Sequence, residues 1–110
     1  MNMKGSLPLL ILQILASGPN HGYSIAQLIK SRSQGVLDFK EGSLYPALHT
    51  LEQRGLLQAF SEEENGRTRR YYQITASGRR RLEQERREWK QYVRAVNLTL
   101  EGHYEAKTSH

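Results

Sequence analysis

The chain has 110 residues, 37% hydrophobic and 25% charged, so one globular domain with a modest core is expected. It carries a net charge of +5, and 10 of its 16 lysines and arginines lie between residues 67 and 94, a cluster that favours an anionic partner such as nucleic acid. The absence of cysteine excludes disulfide scaffolds, thiolate metal sites and cysteine nucleophiles, and it fits a cytoplasmic location.

The first predicted element is a buried helix. Residues 7–16 form the one long apolar run, which is too short to span a bilayer and lacks the flanks of a signal peptide. Ser6 is a suitable cap, Pro8 is tolerated in the first turn, and Gly18-Pro19 stops the helix. Because the helix is apolar nearly all round, it belongs in the core or in a subunit interface.

A second helix is predicted from a cap at Asn20 to a stop at 33–35, with an apolar stripe on one side. His21 is expected to cap or brace this helix. Residues 36–39 alternate weakly between apolar and polar side chains, which predicts one short strand.

A third helix is predicted to begin at a Ser43 cap, with Pro46 in its first turn and Gly55 as its stop. Its apolar face comprises Leu44, Ala47, Leu48 and Leu51. The polar face lies opposite, and Tyr45 falls on the flank, where packing does not explain a tyrosine.

A hairpin and a long helix complete the chain. Two strands are predicted over 56–61 and 69–74, and Asn65-Gly66 within the intervening segment is a strong turn signal. Thr75 is a suitable cap for the last helix, which carries a sparse heptad-like apolar stripe on a charged surface. Such a stripe needs a partner, so we expect a homodimer.

These elements predict a mostly α fold with a small β wing: a winged helix-turn-helix with a long C-terminal dimerisation helix. The expected boundaries are a DNA-binding domain at 1–76, the dimerisation helix at 77–101 and a disordered tail at 102–110.

Three segments resemble the PadR family of bacterial transcriptional regulators: HGYSIAQLI at 21–29, GSLYPALHTLEQRGLL at 42–57 and RRYYQITASGRRRL at 69–82. The resemblance implies a sequence-specific DNA-binding regulator, a repressor that a small-molecule effector releases. Its partner would be double-stranded DNA with a near-palindromic operator.

Two sets of residues are expected to contact DNA. The polar face of the third helix would enter a groove, and cations on and near the wing would contact phosphates. The candidates are Lys40, Ser43, Tyr45, Pro46, His49, Thr50, Gln53, Arg67, Arg69 and Arg70. The alternative is an ordinary solvent face and a hairpin kept soluble by its charge.

The effector site implied by the resemblance lies at Trp89, near the dimer interface, where a flat aromatic molecule would bind. Leu10, Ile14, Val93 and Val96 are expected to join it there. Simple packing of Trp89 in the core or interface is the alternative.

No catalytic motif and no metal-ligand spacing occur in the sequence, so neither an enzyme nor a cofactor is expected. Two rival functions remain open. One is a protein–protein adaptor without specific DNA binding, and the other is an effector-binding protein whose DNA role has decayed.

Overall fold

The computed structural model describes residues 3–102, which form four α-helices and a three-stranded antiparallel sheet. The helices are α1 (Leu7–Leu15), α2 (Gly22–Arg32), α3 (Glu41–Gln53) and α4 (Ala76–Leu100), and a 3-10 turn (Met3–Ser6) precedes α1. The strands are β1 (Asn20–His21), β2 (Leu57–Glu64) and β3 (Arg67–Ile74), in the order β1-β3-β2. The predicted winged helix-turn-helix with a long last helix is confirmed. From residue 103 onward, the predicted tail lies outside the described residues.

Helix α1 forms the centre of the core, because apolar residues surround most of its circumference. Ile11 and Leu12 are fully buried, and Leu7 and Leu15 are nearly so. The residues packed in the same core are Ile25, Ile29, Phe39, Leu44, Leu48, Leu51, Leu56, Leu57, Tyr72 and Leu82. Helices α2, α3 and α4 therefore share one apolar anchor, and each keeps its other face free for solvent or a partner.

The beginning of α2 differs from the prediction. Asn20 lies in β1, opposite Tyr72, and does not cap the helix. His21 is the cap: its Nδ1 accepts a hydrogen bond from the Ser24 N–H at 3.3 Å, which confirms the expectation for this histidine. Strand β1 was missed, because two residues are too few to show a periodicity.

The predicted strand at 36–39 was wrong. This segment is a loop, and the Leu37 N–H donates to the Ser33 Oγ at 2.9 Å instead of pairing with a strand. Phe39 inserts into the core with 7% of its surface exposed. Leu37 also packs against the core, so the apolar alternation in the sequence reflects two inward side chains in a loop and not a strand.

Helix α3 begins at Glu41, two residues before the predicted Ser43 cap. Lys40 occupies the cap position, and its carbonyl accepts hydrogen bonds from the N–H groups of Ser43 and Leu44 at 3.0 and 2.9 Å. Pro46 consequently lies inside the helix rather than in its first turn. The stop is as predicted, since Gly55 has a φ of +76°, which favours glycine.

The hairpin is longer and its turn tighter than predicted. Its register runs from Leu57 opposite Ile74 to Glu64 opposite Arg67, so only Asn65 and Gly66 form the turn. Both turn residues have positive φ values, 49° and 76°, as a two-residue hairpin turn requires.

A close joint connects the end of α3, the start of β2 and the start of α4. The Thr75 hydroxyl accepts a hydrogen bond from the Gly78 N–H at 3.0 Å, which confirms the predicted cap, and it donates to the Gly55 carbonyl at 2.7 Å. Gly78 is buried, and a Cβ there would clash with the Leu56 carbonyl oxygen and lie 2.6 Å from the Ile74 Cγ1. The backbone of Gly78 lies directly against the backbone carbonyl of Leu56. This contact cannot move aside for an added atom as a flexible side chain would.

We expect Gly78→Ala to lower the free energy of unfolding by about 1–3 kcal/mol, because overpacking at a rigid contact outweighs the gain in helix propensity. The matched control is Gly42→Ala, also in the first turn of a helix, where a Cβ meets nothing within 4 Å. Urea unfolding of both variants measures the difference. Equal free energies of unfolding for the two variants would contradict the rigid contact at Gly78.

Candidate DNA-binding surface

Helix α3 presents one firmly anchored face and one open face. Leu44, Leu48 and Leu51 are at most 4% exposed, so the helix cannot rotate without opening the core. The predicted groove-facing residues that are exposed are Tyr45, Pro46, His49, Thr50 and Gln53; Ser43 is half-buried. Side chains at this spacing share one side of a helix, and a helix presented in this way fits the width of a DNA major groove.

Tyr45 has a packing partner that the sequence did not reveal. A Cβ on Gly22 would lie 2.8 Å from its Oη and Cε1, so the ring rests directly on the backbone at the start of α2. Burial raises the pKa of the Tyr45 hydroxyl above its ordinary value, although 42% of the residue stays exposed. The ring is therefore braced on one edge and free on the other.

Cations lie on both flanks of α3. On the wing side, a cleft of about 390 Å³ brings Tyr45 beside Arg67 and Arg70. On the other side, a cleft of about 340 Å³ brings Thr50 beside Arg54 and Arg81. The last two arginines were not among the predicted contacts. Arg81 in particular is 31 residues beyond Thr50 in the sequence, so only the fold brings them together.

The wing is less basic than the sequence suggested. Residues 57–74 contain three glutamates and three arginines, so this segment has no net charge. The register places Glu62 opposite Arg69 and Glu64 opposite Arg67. Any attraction of the wing for a polyanion therefore acts at contact range rather than through a net field.

The three arginines predicted to contact phosphates differ in whether their side chains already have intramolecular partners. Arg67 is exposed and forms no ion pair within residues 3–102. Arg69 lies with its Nη1 2.8 Å from the His21 Nε2 and its Nε 3.5 Å from the Glu64 Oε1. Arg70 is bound to Glu52, a residue the sequence analysis did not single out.

Lys40 is 81% exposed and pairs with Asp38 at 3.1 Å, in the loop between α2 and α3. The hydrogen bond from Lys40 holds the pKa of the Asp38 carboxyl below its ordinary value, with help from the charge of Lys30 3.5 Å away. An ion pair this exposed contributes little to stability, so Lys40 can exchange its carboxylate for another anion.

Trp89 lines a groove between the start of α1 and the middle of α4. This groove of about 430 Å³ is formed on one side by Pro8 and Leu9 and on the other by Glu85, Glu88, Trp89 and Tyr92. The rings of Trp89 and Tyr92 are 5.9 Å apart and tilted by 34°. Among the residues expected here, Ile14 is instead buried in the chain's own core, Leu10 is half-buried against it, and Val93 and Val96 lie on α4 itself.

Within residues 3–102, no other element covers the second half of α4. Only Gly78 and Leu82 of this helix are buried, whereas Tyr92, Val96 and Leu100 are 49%, 38% and 72% exposed. No helix among residues 3–102 is long and apolar enough to cross a membrane. In the same part of the chain, no group of three potential ligands is placed to hold a metal ion.

The anchored helix, the wing and the exposed polar stripe define a winged helix-turn-helix protein. Residues 11–84 match the model of the transcriptional regulator PadR-like family. The chain therefore belongs to the PadR-like family of transcriptional regulators, and not to a family of enzymes.

Individual relatives agree with this assignment. A transcriptional regulator of Mycobacterium tuberculosis is 34% identical over 93 residues, covering 84% of each chain. A transcriptional regulator from Clostridium thermocellum has a similar structure, with a TM-score of 0.79 and 31% identity over 84% of this chain and 88% of the other. PadR of Bacillus subtilis, solved in complex with operator DNA, has a TM-score of 0.65 and 25% identity over 71% of this chain and 45% of its own.

Proposed function

We propose that this protein is a dimeric repressor that binds a near-palindromic operator with α3 in the major groove. The observation that carries the proposal is the exposed polar stripe of α3, held by a fully buried opposite face. The similarity to a PadR protein solved with operator DNA supports it. A repressor acts by occupying its site, which this surface can do without any further domain.

The residues of the stripe have different chemical roles. His49 and Gln53 carry donors and acceptors that can read base edges, whereas the hydroxyls of Tyr45 and Thr50 suit phosphate oxygens. Arg67 and Arg54 are exposed cations on opposite sides of α3. In the proposed complex they contact the two phosphate backbones that border a major groove.

Arg67→Ala should weaken binding to every sequence alike and flatten the plot of log affinity against log salt by about 0.9 per protomer, or about 1.8 for the dimer, because each protomer neutralises one phosphate fewer. Gln53→Ala and His49→Ala should instead change sequence preference, each lost base contact costing about 1–3 kcal/mol. Operator titrations at several salt concentrations measure both effects.

The control for lost charge is Arg87→Ala, since this arginine lies on α4 and its nearest carboxylate, that of Glu83, is 3.9 Å away. It should leave sequence preference and the salt slope near their original values. Footprinting should show two half-sites about 34–36 Å apart. A protein that binds all DNA equally, with the α3 variants unchanged, would contradict the proposed function.

Dimerisation through α4 is the second part of the proposal. At about 100° per residue, Trp89, Val93, Val96 and Leu100 fall within roughly 60° of one another around the helix axis. This stripe continues past the point where α1 ends its contact with α4, so nothing among residues 3–102 covers its far end. A second copy of the helix buries it best, because the stripes are then identical and complementary in a two-fold pair.

Val96→Glu should convert the dimer to a monomer, because it places a charge in the middle of the apolar stripe. Gln91→Glu adds the same charge on the opposite side of α4 and should leave the dimer intact. Sedimentation equilibrium at micromolar concentration distinguishes the two. A wild-type monomer that binds the operator would refute this part of the proposal.

The third part concerns release by an effector at Trp89. The groove there offers an indole beside a tyrosine ring, and Glu85 and Glu88 lie at its edge. Flat rings stack on such a surface and the two carboxylates attract positive charge, so a planar aromatic cation fits best. A ligand that wedges α1 from α4 would favour dimers whose two α3 helices no longer match the repeat of the DNA groove, provided that it binds that state more tightly.

Titration with a planar aromatic dye cation should quench the fluorescence of Trp89, the one tryptophan in the chain, and lower operator affinity over the same concentration range. Trp89→Leu should abolish the effect on operator affinity while preserving the apolar stripe. Quenching without any loss of operator affinity would show that Trp89 serves packing alone.

A further inference from the structure

The outer half of the wing has few contacts that fix its direction. Strand β1 pairs only with Tyr71 and Tyr72, so it covers only the base of β3. From Arg70 outward to Arg67, β3 pairs only with β2. A two-stranded ribbon twists and bends more readily than a wider sheet, so the direction of this half depends on side-chain contacts at its base.

Arg70 makes the contact on the inner face of the wing. Its Nη2 lies 2.9 and 3.1 Å from the two carboxylate oxygens of Glu52, in the last turn of α3. Its guanidinium also lies 5.8 Å from the centre of the ring of Tyr72, which is buried in the core. Arg70 is the first residue of β3 beyond the part that pairs with β1. Its side chain therefore connects the outer half of the wing both to α3 and to the core.

These contacts compete with a phosphate. The Glu52 carboxylate already compensates the charge of Arg70, and a phosphate that approached Arg70 would also meet the negative charge of Glu52, whose one ion pair among the described residues is with Arg70. The hydrogen bond to Glu52 also raises the pKa of the Arg70 guanidinium, as expected for a cation whose charge is already compensated. Arg67, which has no such partner in the part of the chain that the structure describes, is the better phosphate ligand.

We propose that Glu52 and Arg70 are positioning residues: their ion pair sets the direction of the wing relative to α3, and Arg70 does not neutralise a phosphate. The inference rests on the proposed DNA-binding function, in which α3 and the wing must contact one duplex simultaneously. A wing already held in its binding direction loses less conformational freedom on binding.

Whether Glu52→Ala strengthens or weakens operator binding distinguishes a purely electrostatic role of Glu52 from a positioning role. Removing a carboxylate beside a phosphate backbone strengthens DNA binding if charge alone matters. If Glu52 holds the wing, Glu52→Ala should weaken operator binding about tenfold with an unchanged salt slope, because preorganisation is lost and no phosphate contact is. The matched control is Glu63→Ala, which removes an exposed wing carboxylate without an ion pair among residues 3–102 and should bind as well as or better than wild type.

Exchange of the two charges provides a second test. Arg70→Glu alone should impair operator binding, and Glu52→Arg added to it should restore most of the loss by re-forming the pair in reverse. If Arg70 binds phosphate, Glu52→Arg restores positive charge and raises affinity by the same factor with or without Arg70→Glu, whereas a re-formed ion pair gives a larger gain in the Arg70→Glu background. Equal gains in the two backgrounds, or a salt slope reduced by about 1.8 for the dimer in Arg70→Gln, would overturn the proposal.

A third measurement needs no DNA. Because the chain lacks cysteine, Thr68→Cys on the wing and His49→Cys on α3 accept a pair of spin labels at defined positions. In labelled chains diluted into unlabelled protein, the distance distribution should broaden when Glu52→Ala is added and stay narrow with Glu63→Ala. An unchanged width would overturn the positioning role. Broadening, together with an unlabelled wild-type protein that binds no operator, would reject the proposed function and retain the positioning role.

Discussion

The joint between Gly78 and the Leu56 carbonyl is the contact on which the arrangement of the functional parts depends. It holds the first turn of α4 against the chain that leaves α3, and Thr75 secures the same place with its bonds to Gly55 and Gly78. The helix proposed for dimerisation and the helix proposed for DNA recognition thus meet through backbone atoms. In a dimer, a rotation of one α4 against the other would therefore move both α3 helices. Little of that movement would be absorbed by flexible side chains.

Most of the fold could be predicted from the sequence, because its signals were local. Gly55, Asn65-Gly66 and Thr75 each mark a boundary by their own backbone or capping preference, and the structure confirms all three. The errors have a common cause. The strand at 36–39 and the cap at Ser43 were inferred from residue types whose role is decided by the neighbouring chain, which only the tertiary structure shows.

The candidate site was predictable in part. The amphipathic pattern of α3 correctly separated its buried leucines from its exposed polar residues. What the sequence could not show were pairings over long separations, such as Glu52 with Arg70 and His21 with Arg69. A run of arginines therefore predicted three equivalent phosphate ligands, whereas the structure gives two of them intramolecular partners and leaves Arg67 unpaired among the described residues.

The opposed charges along the hairpin have a consequence for the order of events on DNA. Glu64 lies opposite Arg67 and Glu62 opposite Arg69, so positive and negative charges alternate over short distances, and the potential of such a neutral group falls off faster with distance than that of an isolated charge. A wing of this kind exerts almost no pull on a duplex that is still a Debye length away. Under the proposed function, it would engage only after α3 has seated in a groove, and so prolong correctly aligned complexes rather than recruit passing DNA.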